Sequence, residues 1–167
     1  MDKKKKSLFK EITGYAIFTV ALFLLFTFVI KVAYVDGDSM NDTYKDGDAV
    51  LCLRIGEVEK GDVIICDCDA GVVLIKRIIA TEGDTLDINF ETSEVIVNGV
   101  VIDEPYIKEP TKLNREAFEY PITIPEDCYF VMGDNRNASD DSRTPQIGYI
   151  KEEQIQGKVL FKLPFLN

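Results

Sequence analysis

Two regimes of hydrophobic spacing divide the chain. From Ile12 to Ile30 nineteen residues run without a charge, bounded by Lys10-Glu11 on one side and Lys31 on the other. That is close to the ~20 residues an α-helix needs to cross a bilayer. A cleaved secretory signal has a shorter apolar region, about 7 to 15 residues, followed by a small-x-small site, and Lys31-Val32-Ala33 fits such a site poorly. A helix buried in a soluble core is disfavoured by the lysines that flank the run on both sides. The pattern therefore predicts a transmembrane helix over 12–30, preceded by a basic tail over 1–11.

Beyond Lys31 the apolar positions break into short β-branched runs. They predict strands at Ala49–Arg54, Val63–Cys68, Val72–Ala80, Thr85–Phe90, Val95–Val97 with Val100–Ile102, Ile122–Ile124, Tyr129–Met132 and Lys158–Lys162. Asn98-Gly99, between two such runs, is a two-residue hairpin signal of the type I′ kind. Gly47-Asp48, Gly61-Asp62, Gly83-Asp84 and Gly133-Asp134 recur as turns beside strands. Lys112–Tyr120 reads equally as a short helix or an ordered loop. The expectation is one mainly β domain over 31–167, with 90–121 as a small insert.

Charge orients this arrangement. Lys3, Lys4, Lys5, Lys6 and Lys10 crowd the N-terminal flank, and the positive side of a span stays in the cytoplasm, which puts the remainder outside. Six of the 19 basic and two of the 29 acidic residues precede Val32, so the outer part holds 13 basic and 27 acidic residues and a net charge of −14. Such a surface argues against nucleic acid as a partner and against an electrostatic grip on anionic head groups. Cys52, Cys66, Cys68 and Cys128 lie where disulfides would be allowed. Cys66 and Cys68 share a strand face without suiting a direct bridge, and with no histidine and no Cys-x-x-Cys spacing a metal site is disfavoured. Free thiols, no metal and no cofactor are expected.

The absence of histidine decides what serine chemistry is open. A Ser-His-Asp arrangement is excluded, leaving a lysine, an N-terminal amine or a metal-bound water as base. Ser39 stands a few residues past the apolar run, in Val35-Asp36-Gly37-Asp38-Ser39-Met40, and Lys76 is a lone lysine in Val72-Val73-Leu74-Ile75-Lys76-Arg77-Ile78-Ile79-Ala80. Period-two alternation sets Val72, Leu74, Lys76 and Ile78 on one face. A free lysine pays about 4.6 kcal/mol to be neutral at pH 7, and burial removes much of that by disfavouring the ammonium. A lysine snorkelling from an edge strand is the competing reading. A second block, Gly133-Asp134-Asn135-Arg136-Asn137-Ala138-Ser139-Asp140-Asp141-Ser142-Arg143, offers paired charges and two hydroxyls, either as a buried polar network or as a solvated loop.

Taken in order, these blocks resemble the bacterial type I signal peptidases, membrane serine proteases that remove signal peptides after export. Gly37-Asp38-Ser39-Met40 is similar to the family's nucleophile box, Lys60-Gly61-Asp62-Val63-Ile64 to its Gly-Asp strand box, and Leu74-Ile75-Lys76-Arg77-Ile78-Ile79 with Gly83-Asp84 to its lysine box. Gly133-Asp134-Asn135-Arg136 with Ser139 and Asp141-Ser142-Arg143 resembles its C-terminal signature. The resemblance implies a single-pass membrane enzyme with a β-rich catalytic domain. It implies Ser39 as nucleophile, Lys76 as general base, Ser139 hydrogen-bonding the lysine, Asp141 and Arg143 bracing that loop, and Arg77 paired with Asp134. The Ser39 N–H would be the chief oxyanion donor, with Gly37 where some relatives carry a serine hydroxyl. Val35, Met40, Tyr44, Leu74 and Ile75 are candidate pocket walls for small residues before the cut. Asp42 stands where the family turn has proline, which removes a φ constraint and brings a charge toward Lys76.

Secreted preproteins and the lipid bilayer are the implied partners, with the N-terminus cytoplasmic and the catalytic domain extracytoplasmic. A self-cleaving Ser-Lys peptidase is the rival enzyme, and it lacks a span such as 12–30. A degenerate, non-catalytic homologue acting as a membrane-anchored binding or assembly domain is the other alternative. A sortase-like transpeptidase pairs cysteine with histidine, which this chain cannot supply.

Overall fold

The computed structural model describes residues 3–164; residues 1–2 of the basic tail and 165–167 at the end of the expected 31–167 domain lie outside the described residues. Helix α1 spans Lys3–Leu24 and passes through a single π turn, Leu25–Val29, into strand β1, Ile30–Tyr34. Ser7–Val29 forms an apolar stretch of 23 residues with mean hydropathy 2.2 and none of it buried against the rest of the chain. The helix begins earlier than the uncharged run and ends earlier too. Ile30, the last residue of that run, already pairs with Leu53 in a sheet. Arg54 fastens the joint: its backbone N–H donates to Val29 O at 2.8 Å and its guanidinium to Thr27 O at 3.1 Å.

The remaining strands are β2 Ala49–Leu53, β3 Val63–Asp67, β4 Val73–Thr81, β5 Thr85–Asn89, β6 Glu94–Val97, β7 Val100–Val101, β8 Ile122–Thr123, β9 Cys128–Met132, β10 Ile150–Lys151 and β11 Ile155–Lys162. They form an antiparallel seven-stranded sheet in the order β1-β2-β11-β3-β4-β9-β10 and a four-stranded sheet in the order β7-β6-β5-β8. β1 and β10 carry no signal in the sequence pattern. β1 is hidden by its continuity with the apolar helix, and β10 is two residues long. Lys112–Tyr120 is neither helix nor strand.

Three packed clusters account for the strand patterns. Val63 and Ile65 join Val35, Met40, Val50, Cys52 and Val159 on one side of the large sheet, while Ile64 and Cys66 join Cys68, Ile78, Val131 and Ile150 on the other. Being covered on both faces, β3 reads as a continuous apolar run rather than an alternating one. The third cluster, Ile79, Ala80, Leu86, Ile88, Val95, Val97, Ile124, Phe130 and Met132, ties the small sheet to β4 and β9, with Phe118 and Tyr120 packed against it.

Three of the four Gly-Asp pairs share one geometry. Gly47, Gly61 and Gly83 have φ of 82°, 91° and 77°. The following aspartate accepts the N–H three residues back, from Lys45, Glu59 and Thr81, each at 2.9 Å. The left-handed glycine lets the chain reverse without a Cβ clash, and the carboxylate closes the turn. Each of these aspartates also meets a lysine, Lys162, Lys158 and Lys60 respectively. Gly133-Asp134 belongs to a different construction.

Candidate active site

Ser39 sits on the turn that follows β1. Met40 behind it is fully buried among Val35, Val50 and Cys52, which pins the turn to the core. Asn135 holds its other side, with the backbone N–H donating to Ser39 O and the side-chain amide to Asp38 O, both at 3.0 Å. Lys76 comes from the middle of β4, directly opposite Ile64 of β3. Its Nζ donates to Ser39 Oγ at 2.8 Å and to Ile75 O at 3.0 Å. Residues 37 positions apart in sequence thus share one hydrogen bond.

Lys76 is only 3% exposed. Burial pulls its amine below the ordinary lysine value, and the more distant carboxylates of Asp141, Asp140 and Asp134 together with Cys66 pull the other way without reversing the shift. Burial also pushes the neighbouring Cys66 thiol up to about 12, so it adds no anion at neutral pH. Asp42 is exposed and is not among the groups acting on Lys76. Its expected influence on the amine is therefore not borne by this geometry.

The loop after β9 is a buried ionic frame. Asp141 and Arg143, both fully buried, pair through two contacts at 2.8 Å. Burial alone would raise the Asp141 carboxyl, but the Arg143 hydrogen bonds and charge, with the Gly133 N–H at 3.0 Å, hold it below its usual range. Arg143 also donates to Arg136 O and Leu113 O. Arg77 makes a bidentate pair with Asp134 at 2.8 and 2.6 Å, and Thr43 donates to the same carboxylate at 2.5 Å. A planar guanidinium suits this two-point grip, which clamps β4, the Ser39 turn and the β9 loop together.

Three members of this frame, Glu104, Tyr106 and Thr111, were invisible in the sequence pattern. Arg136 is fully buried and pairs with Glu104 at 2.6 and 3.0 Å and with Thr111 at 3.0 Å. Arg77 lies 4.0 Å from the centroid of the Tyr106 ring, a cation–π stack. Glu104, Tyr106 and Thr111 all come from the 90–121 segment, whose composition gives no cue to such a role.

A cleft of about 380 Å³ opens beside the serine–lysine contact, lined by Lys31, Ala33, Tyr34, Val35, Asp36 and Ser39 on one side and Val72–Lys76 on the other, with Ile65 between. Val35, Leu74 and Ile75 are walls of it. Met40 and Tyr44 are not: Met40 is sealed in the core and Tyr44 packs against the same cluster. Both walls are open sheet edges. β1 ends the seven-stranded sheet, and β4 pairs with β9 only from Arg77 onward, leaving Val73–Lys76 unpaired on that flank. Such edges accept an extended peptide by main-chain hydrogen bonding.

Two further expectations change. The Ser139 hydroxyl is buried beside Asp141 yet makes no hydrogen bond of standard geometry, to Lys76 or to any other group. The Gly37 N–H is taken by the Asp46 carboxylate at 2.8 Å, so Gly37, with φ 83°, shapes the turn and supplies no free oxyanion donor. All four cysteines are free, and among the described residues no cluster of His, Cys, Asp or Glu has the makings of a metal site.

Comparison with known proteins places this geometry in context. Residues 8–164 match the family model described as signal peptidase, peptidase S26. Signal peptidase I of Bacillus licheniformis is 35% identical over 95% of this chain and 89% of its own length. Signal peptidase IB of Staphylococcus aureus is 33% identical over 96% of this chain and 92% of its own. The crystal structure of a signal peptidase I from Enterococcus faecalis matches with a TM-score of 0.54 and 30% identity, covering 64% of this chain and 99% of that one.

Two measurements test the site as a structure. A Cβ on Gly133 would lie 2.3 Å from Ser139 Oγ and 2.5 Å from Ser39 O, so Gly133→Ala is expected to lower unfolding stability by about 1–3 kcal/mol through overpacking. An unchanged denaturation midpoint would mean that the loop yields freely. Lys76 is protonated in the unfolded chain below about 10.5 but is biased toward neutrality in the fold. Its burial therefore costs more as pH falls from that value toward the folded pKa. Lys76→Met is expected to gain stability relative to the wild-type protein as pH falls from about 10.5 toward neutrality, with the gap closing as pH rises to 10.5. A pH-independent gap would refute the depressed amine.

Proposed function

The chain belongs to the peptidase S26 family of signal peptidases, serine proteases that remove signal peptides, and on that footing we propose that Ser39 and Lys76 are its catalytic dyad. The observation that carries this reading is the 2.8 Å contact between Lys76 Nζ and Ser39 Oγ, with Lys76 only 3% exposed. A neutral amine has two N–H groups and one lone pair. The charged amine donates to Ser39 Oγ; once neutral, with one N–H on Ile75 O, it turns its lone pair to the same oxygen and takes the Ser39 proton as Oγ attacks the scissile carbonyl. The resulting ammonium then protonates the leaving amine, and the same amine activates the water that opens the acyl-enzyme. The Ser39 N–H is the proposed donor to the oxyanion.

Asp141, Arg143, Asp134 and Arg77 act in this proposal by fixing the loop and strand that carry the dyad. Ser139 fills the space beside Gly133, and in this proposal its hydroxyl serves the loop that backs the amine. The substrate is a secreted preprotein whose extended cleavage region adds as a strand between β1 and the first half of β4. Small side chains one and three residues before the cut would face Val35, Ile75 and Ala33. The organisation proposed is a tail over 1–11, a single span over 12–30 with its N-terminus cytoplasmic, and an outer catalytic domain over 31–167. The span holds Ser39 near the outer membrane face, where a precursor's cut site emerges, which is proximity supplied by the bilayer.

Two experiments test this. Detergent-solubilised protein incubated with a signal-bearing precursor is expected to give one new N-terminus, found by Edman sequencing, after a small residue. Ser39→Ala and Lys76→Ala should each lose at least about 10³-fold in kcat, and the double variant no more than either alone, because the two groups act as one unit. Substantial activity in either folded single variant would refute the dyad. For topology, a membrane-impermeant protease added to intact cells is expected to digest the 31–167 domain. Digestion confined to the extreme N-terminus would overturn the orientation.

A further inference from the structure

The cleft carries one cation whose place catalysis does not explain. Lys31 is half-buried on the cleft wall, in a domain that is otherwise strongly acidic. It shares a face of β1 with Ala33 and Val35, opposite Cys52 of β2. Its Nζ donates to Gln156 Oε1 at 2.5 Å. Gln156 lies where β11 shifts register against β3, and its Nε2 donates to Asp67 Oδ1 at 2.8 Å. An amide that must donate to Asp67 presents its oxygen, not its nitrogen, to Lys31, so the ammonium is aimed by a two-step relay. Among the described residues no carboxylate lies within 4.0 Å of it, whereas Lys60, Lys158 and Lys162 each have one. The other charged groups lining the cleft, Asp36 and Lys76, sit toward the Ser39 end.

Resting on the proposed strand addition, we propose that Lys31 is a specificity-determining residue that selects precursors by charge at the fifth residue before the cut. Side chains of an extended peptide face the same way every second residue. If the first and third residues before the cut face Val35 and Ala33, the fifth faces Lys31, two residues further back along β1. An acidic side chain there completes the ion pair that the protein leaves open, a neutral one is tolerated, and a basic one meets a like charge in a partly desolvated cleft. The amine joins no covalent step; it sorts precursors before chemistry begins.

The test uses the full-length protein in detergent and three precursors that differ only in having Glu, Gln or Lys at that position. Ratios of kcat/KM taken within each enzyme cancel any general loss of activity or folding. The wild-type protein is expected to rank Glu above Gln above Lys, with Glu over Lys by about tenfold at low salt and less at high salt, as screening requires. Lys31→Arg should keep that order, Lys31→Gln should flatten it, and Lys31→Glu should invert it. Gln156→Glu, which gives the ammonium an internal partner, should flatten it with Lys31 intact. The same ranking in wild type and Lys31→Gln, or no ranking in the wild type, overturns the inference while leaving the dyad standing. No cleavage of any precursor by the wild-type protein would overturn the proposed function and this inference with it.

Discussion

An amine acts as a base only when it is neutral, and for the dyad proposed in this chain without histidine that requirement falls on the burial of one lysine. Lys76 is enclosed between β3 and the loop after β9, and the surroundings are arranged so that enclosure does not leave it stranded. One proton goes to the Ile75 carbonyl and the nitrogen faces Ser39. The buried carboxylate with the largest pull on it, Asp141, is already held by Arg143 and the Gly133 N–H. Had Asp141 been left unpaired, the nearest remedy would have been a protonated Lys76, and the site would have lost its proposed base.

Rigidity around the proposed dyad comes from charges that are buried in pairs. Arg77–Asp134 and Arg136–Glu104 join segments distant in sequence, while Arg143–Asp141 braces the loop after β9 from within. Buried pairs of this kind are weak contributors to net stability, because desolvation offsets the attraction, but removing one partner leaves an uncompensated charge worth about 3–5 kcal/mol. Their value here is positional: a bidentate guanidinium fixes an angle as well as a distance. The 90–121 segment, with little regular structure past β7, supplies Glu104, Tyr106, Thr111 and the Leu113 carbonyl to this frame.

The cleft is a product of unfinished pairing. A sheet edge left bare invites aggregation unless it is covered or blunted. Here β1 runs directly out of the apolar helix and β4 is half-paired, so the two bare edges face one narrow space lined by Val35, Ile65 and Ile75. Apolar walls, the Ser39–Lys76 contact at one end and the Lys31 ammonium at the other make the space directional.

Much of this was legible in the sequence, for local reasons. The nineteen uncharged residues announce a helix of membrane length, strand periodicity shows where β2 to β9 run within a residue or two, and Gly-Asp pairs mark turns because only glycine adopts their φ and only a short carboxylate closes them. The lack of histidine and the isolation of Lys76 narrow the chemistry before any fold is known. What tertiary structure decided is everything set by approach between distant segments. It seals Met40 in the core, turns Tyr44 away from the cleft, leaves the Ser139 hydroxyl beside Asp141 instead of on Lys76, commits the Gly37 N–H to Asp46, and brings Lys31 to the cleft through Gln156. Periodicity tells which face of a strand a side chain occupies, but not what the chain folds against that face. A hydrogen bond across 125 residues, such as that from Lys31 to Gln156, has no local signature at either end.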